Sequence, residues 1–101
     1  MSKRCKTPKV RYVNGEKVRH DHVEFTMGCH RRAPHCKFIP ANEIWIEKNM
    51  TCIDTEATIL HEMVEHTAMC RGYGYDEAHE MANKVERKFR RNDLATREAC
   101  R

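Results

Sequence analysis

Two histidines and two glutamates stand together in the run His61-Glu62-Met63-Val64-Glu65-His66. Each residue of a helix turns about 100°, so His61 and Glu65, four apart, project side by side on one face. An imidazole and a carboxylate at that spacing suit a divalent ion. Around the same helix Ile53, Ala57, Leu60, Val64 and Ala68 make an apolar stripe that should face a core. His61 falls at the edge of that stripe and Glu65 next to it, while Glu62 and then His66 turn progressively further away. A carboxylate half buried beside apolar residues is costly, or protonates, unless a cation or a donor compensates it. A bound metal removes that cost.

Positioning such a pair takes a second element, and the next amphipathic stretch supplies it. Ala78, Met81, Ala82, Val85 and Phe89 repeat at helical spacing, with His79, Asn83 and Glu86 on the flank. Asp54 or Thr55 is expected to cap the first helix, with Glu56 in its first turn. Gly72 and Gly74 should end it, and Asp76 should cap the second. The connection over 71–75 is short, so the helices should pair antiparallel and bring His79 to the side of His61 and Glu65.

The first half of the chain reads as strands. Asn14-Gly15, between Val10 and Tyr12 on one side and Val18 on the other, predicts a type I′ hairpin whose return strand runs through His20, His22 and Val23 to Phe25. Glu43-Ile44-Trp45-Ile46-Glu47 alternates charged with apolar and predicts another strand. Between them, 28–34 is expected to be an irregular basic loop. Cys29-His30 within it and His35-Cys36 directly after it could hold a zinc of their own; in the plainer reading they sit in an exposed loop from which only His30 reaches the main site. The expected architecture is α+β, a small antiparallel sheet from the N-terminal half packed against two antiparallel helices from the C-terminal half. Residues 1–8 form a basic flexible arm and 9–101 a single metal-binding domain.

Composition sets further bounds. Of 101 residues, 34% are charged and 7% aromatic, so the core is thin and a metal would add noticeably to stability. A net charge of +4 permits acidic partners without demanding nucleic acid. No apolar run is long enough to span a bilayer, and Met1-Ser2-Lys3-Arg4 is not followed by a signal-peptide core, which leads to the expectation of a cytoplasmic protein with no membrane partner. Six cysteines without a C-x-x-C pair are expected as buried or free thiols ahead of a disulfide framework.

A catalytic zinc has three protein ligands and an open position for water. His61, Glu65 and His79 would be the ligands and Glu62 the general base. Glu86, or Glu80, would hold a liganding imidazole from behind, with His66 and His30 as additional candidates. Such a donor set also accepts manganese or iron. His61-Glu62-Met63-Val64-Glu65 resembles the H-E-x-x-H helix of zincin metallopeptidases with glutamate in place of the second histidine, and the strand 43–47 resembles the edge strand before that helix.

From Val10 to Arg90 the chain is similar to small uncharacterised phage and prokaryotic proteins. The shared pieces are Arg11-Tyr12-Val13-Asn14-Gly15, Phe38-Ile39-Pro40 with Glu43-Ile44-Trp45-Ile46, His61-Glu62 with Glu65, and Tyr75-Asp76-Glu77-Ala78-His79. Where those relatives carry Gly-Gly-His this chain has Gly28-Cys29-His30. The resemblance implies a zincin-like metalloprotein, in the host cytoplasm if phage-encoded. The expectation is therefore a minimal zinc-dependent, peptidase-like hydrolase with a peptide or protein substrate, docked along the edge of the 43–47 strand.

The rival is a binding protein stabilised by the same metal. It would meet nucleic acid or an acidic host protein through Arg31, Arg32, Lys37 and the face of Lys84, Arg87, Lys88, Arg90 and Arg91. A third class is a phage accessory protein that acts on a host factor by binding alone.

Overall fold

The strand expected over Glu43–Glu47 forms there and becomes the centre of the sheet. The computed structural model describes residues 5–100, which run β1 (Lys9–Val13), α1 (Gly15–Asp21), β2 (Gly28–His30), β3 (Glu43–Glu47), α2 (Cys52–Cys70), α3 (Tyr75–Arg91) and α4 (Asp93–Ala99). The strand order is β1-β3-β2. β1 pairs with β3 in parallel, Lys9 opposite Glu43 through Val13 opposite Glu47, and β2 pairs with β3 antiparallel, Gly28 opposite Ile46. The α+β class stands, but the sheet is mixed rather than antiparallel. β3 is its middle strand, not an edge.

The departure begins at Asn14-Gly15. No hairpin forms there: Asn14 caps α1, its side-chain oxygen accepting from the Lys17 N–H at 3.3 Å. Asparagine serves a helix N-cap as well as a tight turn. Gly15 is buried at the first helical position, where a Cβ would collide with the Glu47 carboxylate. With α1 in place of a return strand, β1 has no antiparallel neighbour and pairs with the later β3.

Alternation along the short strands sorts the core. Ile44 and Ile46 are fully buried on one face of β3, and opposite them on β2 stand Gly28 and His30. Cys29 and Trp45 take the other face. Cys29 packs there with Phe25, Ala33, Cys36 and Ile39, flanked by Phe38 and Trp45.

The segment after β2, expected to be irregular, keeps a three-residue period. Successive N–H groups of Ala33, Cys36 and Ile39 bond to the carbonyls of His30, Ala33 and Cys36 at 3.1–3.2 Å. His30, Ala33, Cys36 and Ile39 are thereby buried, and Arg31, Pro34, Lys37 and Pro40 exposed.

Helix α2 is capped by Thr51, whose hydroxyl accepts from Asp54 N–H at 3.2 Å, rather than by Asp54 or Thr55. It ends at Cys70, with Gly72 at φ +108, a conformation glycine adopts without strain. Helix α3 starts one residue before Asp76, after Gly74, so Asp76 and Glu77 lie in its first turn. The two helices run antiparallel, closed by the fully buried Ala78 and Ala82 of α3. The chain ends in the additional α4, capped by Asn92 accepting from Ala95 N–H at 3.0 Å.

Of the apolar stripe expected on α2, Ala57 and Ala68 are buried and Leu60 and Val64 partly so, but the stripe is not the whole of the buried surface. Ile53 is 43% exposed, while Thr58, His61, Glu62, Glu65 and His66 are all buried. The helix is covered on two sides. Thr58, Glu62 and His66 lie toward β2, and His61 and Glu65 toward α3.

The expectation of free thiols is overturned: all six cysteines are paired, Cys5–Cys70, Cys29–Cys36 and Cys52–Cys100. Of the arm expected over 1–8, residues 1–4 lie outside the described residues, and Cys5 is bonded to α2. Cys100 is bonded to Cys52 at the start of α2. Among the described residues no helix is long and apolar enough to cross a membrane.

Candidate metal centre

The carboxylate of Glu65 is the point where three elements meet. His30 Nε2 of β2 lies 2.8 Å from Oε1, His79 Nδ1 of α3 lies 2.8 Å from Oε2, and His61 Nε2, one turn earlier on α2, lies 3.4 Å from Oε2. His61, Glu65 and His79 offer ligand atoms within 4.8 Å of one another, and so do His30, Glu62 and Glu65. These groupings could hold a metal ion.

Each placement has a local cause. His61 and Glu65 share a helix face by their spacing of four. His79 follows from the short antiparallel connection into α3. His30 arrives because β2 alternates, turning Gly28 and His30 to α2 and Cys29 away. Gly28 is what permits the approach: a Cβ there would stand 2.7 Å from Thr58 Cγ2 and 2.9 Å from Ile46 Cδ1.

The imidazole of His61 is held from behind. Its Nδ1 lies 2.8 Å from Glu86 Oε1, and Glu86 Oε2 accepts from Arg90 Nε at 2.9 Å. Arg90 in turn reaches Asp54 Oδ1 at 2.8 Å. Glu86 therefore takes the orienting role, whereas Glu80 is at the surface, 3.9 Å from Arg87. With Nδ1–H donated to Glu86, a neutral His61 turns a bare Nε2 lone pair toward a carboxylate oxygen. That arrangement is repulsive unless a cation stands between them, either a proton on Nε2 or a metal ion.

The electrostatics agree with a site built for positive charge. Burial alone would raise the Glu65 carboxyl, but hydrogen bonds from His30, His61 and His79 outweigh it and hold the group far below the usual carboxylate range. Burial works to lower His61, and Glu65 and Glu86 together overcome it and raise the ring. Glu62 is driven well above its ordinary value, first by burial and then by the charges of Glu65 and Glu86. Its oxygens stand 3.9 Å from His30 Nε2 and His61 Nε2.

His66 does not join this group. It meets His30 ring edge to ring face at 5.2 Å between centroids, on the far side from His61. Burial, then the charges of His30 and Arg32, lowers it to about 4, so the ring is neutral near pH 7. The separate zinc considered for Cys29, His30, His35 and Cys36 is also set aside, since Cys29 and Cys36 are bonded to each other and offer no thiolate.

A cleft of about 190 Å³ opens onto the cluster, lined by Thr26 to Cys29 leading into β2, by Thr58, His61, Glu62 and Glu65 of α2, and by Tyr75 and His79. Tyr75 stacks on His79 at 5.5 Å and meets His35 edge-on at 5.7 Å. Sequence reasoning missed Tyr75, Gly28 and the Asp54–Arg90 link. Of these neighbours only the Glu86–Arg90 pair that leads into the link left a readable signal, since Arg90 follows Glu86 by four residues.

No family model, curated protein or solved structure matches this chain, so the geometry of the His61, Glu65 and His79 cluster is what bears on its function.

Proposed function

We propose that the chain is a minimal metal-dependent hydrolase of peptidase-like type, with His61, Glu65 and His79 holding one divalent ion, zinc by preference and manganese or iron by donor chemistry. The observation that carries this reading is the clamped His61 ring. Its Nδ1 is engaged by Glu86, and its Nε2 faces the Glu65 carboxylate at 3.4 Å. The donor set of two imidazoles and one carboxylate fits such an ion. When bound, the ion would supply a water of lowered pKa and polarise a carbonyl.

The other roles belong to the chain. Glu62, buried beside the cluster with a raised proton affinity, accepts the proton of the attacking water and returns it to the leaving amine. Glu86 and Arg90 fix the His61 ring, and Tyr75 supports His79. The substrate cannot add to β3, because β1 and β2 occupy both of its edges. The outer edge of β2 borders the cleft instead, and an extended peptide laid antiparallel or parallel to Thr26–Cys29 would bring its carbonyls over the cluster.

The test is cleavage of an unbiased peptide mixture by zinc-loaded protein. Glu62→Gln should cut about 10²–10⁴-fold more slowly at unchanged metal content, the usual size of a lost general base. Equal rates for the two proteins, or no cleavage by either, would remove the hydrolase reading.

A further inference from the structure

Beside His66 lies a second, chemically different pocket. It measures about 250 Å³ and is lined by Arg31, Arg32, Lys37, Ala41, Asn42 and His66. Three of its six lining residues are cationic and none is acidic.

Two of its lining residues each carry a buried polar atom without a partner, Arg32 Nε and His66 Nδ1. His66 is only 4% exposed. A guanidinium N–H always donates, and a buried donor left without an acceptor is costly enough that native proteins seldom tolerate it. A neutral imidazole can place its one proton on Nδ1 and donate as well. Two such atoms on residues that border one basic concavity suit an oxyanion.

The pocket is also held in shape in advance. The three-residue period of 30–39 sends Arg31 and Lys37 outward from a backbone pinned by turn hydrogen bonds and by the Cys29–Cys36 disulfide. Asn42, at φ 62, closes the rim, and its carbonyl accepts from Lys9 N–H at 2.8 Å. Charges fixed in this way need little reordering to meet a ligand.

We propose that this pocket binds a phosphate group, with Arg32 and His66 donating from the wall and Arg31 and Lys37 neutralising charge at the mouth. Its volume falls slightly below the usual range of small-molecule sites, so the ligand is a small phosphate ester or the free ion, or one phosphate of a nucleic-acid strand. The pocket shares no lining residue with the cleft over the metal centre.

Titration calorimetry on the full chain at low ionic strength tests it, with inorganic phosphate, a nucleoside 5′-monophosphate and a short single-stranded oligonucleotide as separate probes. Inorganic phosphate should bind saturably, one per chain. Affinity should fall at least tenfold in Lys37→Glu and in Arg32→Gln, and stay unchanged in His79→Ala. Lys37 is exposed, so its replacement leaves the fold intact. Whichever organic probe exceeds the free ion by tenfold or more, and is weakened by the same two variants, identifies the source of the phosphate. Absence of saturable phosphate binding would overturn the proposal. So would an equal loss of affinity in Lys84→Glu, on the remote α3 surface, since that would mean a general field rather than a pocket.

Discussion

Glu65 is almost wholly buried, yet its carboxylate is the most strongly acidic group of the site because three imidazoles surround it. Glu62, one turn away, has the opposite fate, since burial and the neighbouring Glu65 and Glu86 charges favour its protonated form. The two therefore impose opposite pH dependences on the metal-free protein. Glu65 is held below its ordinary 4.5, so its contribution is present above that pH and lost as pH falls toward the folded value. Glu62 is held above its ordinary 4.5, so its contribution is present below that pH and lost as pH rises toward the folded value. Urea unfolding of metal-free protein should find Glu62→Gln more stable than the parent at pH 7, by about 1–3 kcal/mol, with the gap closing near pH 4. A gap that does not change with pH would contradict this assignment. At this scale His61, Glu65, His79 and Glu86 were legible, because spacings of four on a helix and a short helical connection fix neighbours without knowledge of the sheet. His66 was not, since its surroundings depend on which strand covers α2.

The elements explain what the residue pattern hid. A single apolar stripe was expected on α2, but a helix packed between a sheet and another helix buries two arcs. The arc toward β2 holds Thr58, Glu62 and His66, polar residues that lie outside the apolar stripe and are buried all the same. Asn14-Gly15 misled for a related reason: the same dipeptide favours a hairpin and an N-cap, and the choice rests on the pairing of β1 with a strand some thirty positions later. That β2 exists at all was unreadable from three residues, Gly-Cys-His. Gly28 is the position that makes the β2–α2 contact close, and it gives an element-scale prediction. Gly28→Ala should push β2 from α2 against Thr58 and Ile46, costing about 1–3 kcal/mol in chemical denaturation, as overpacked cores do. It should also move His30 away from Glu65. Unchanged stability would mean that the strand and helix are not in this contact.

The molecule as a whole is small, thin in aromatic residues and tied at three places. Cys5–Cys70 spans 65 residues and Cys52–Cys100 spans 48, joining the first described residue and the last to the two ends of α2. Loops of that size are worth roughly 4 kcal/mol each in the chain-entropy account. Reduction should therefore lower the melting temperature by about 15 °C or more, followed by circular dichroism with and without reductant. A shift of a few degrees would show that the site's framework stands without the links, as a chain working in a reducing cytoplasm would require. Cysteine pairing was not legible because six cysteines allow fifteen full pairings, and spacing alone does not choose among them. If α2 and α3 share one ion, metal content per chain reads it out. Elemental analysis of untagged protein supplied with zinc should find about one equivalent in the parent, and none in His61→Ala or in His79→Ala. No metal in the parent, or full retention in both variants, would contradict it.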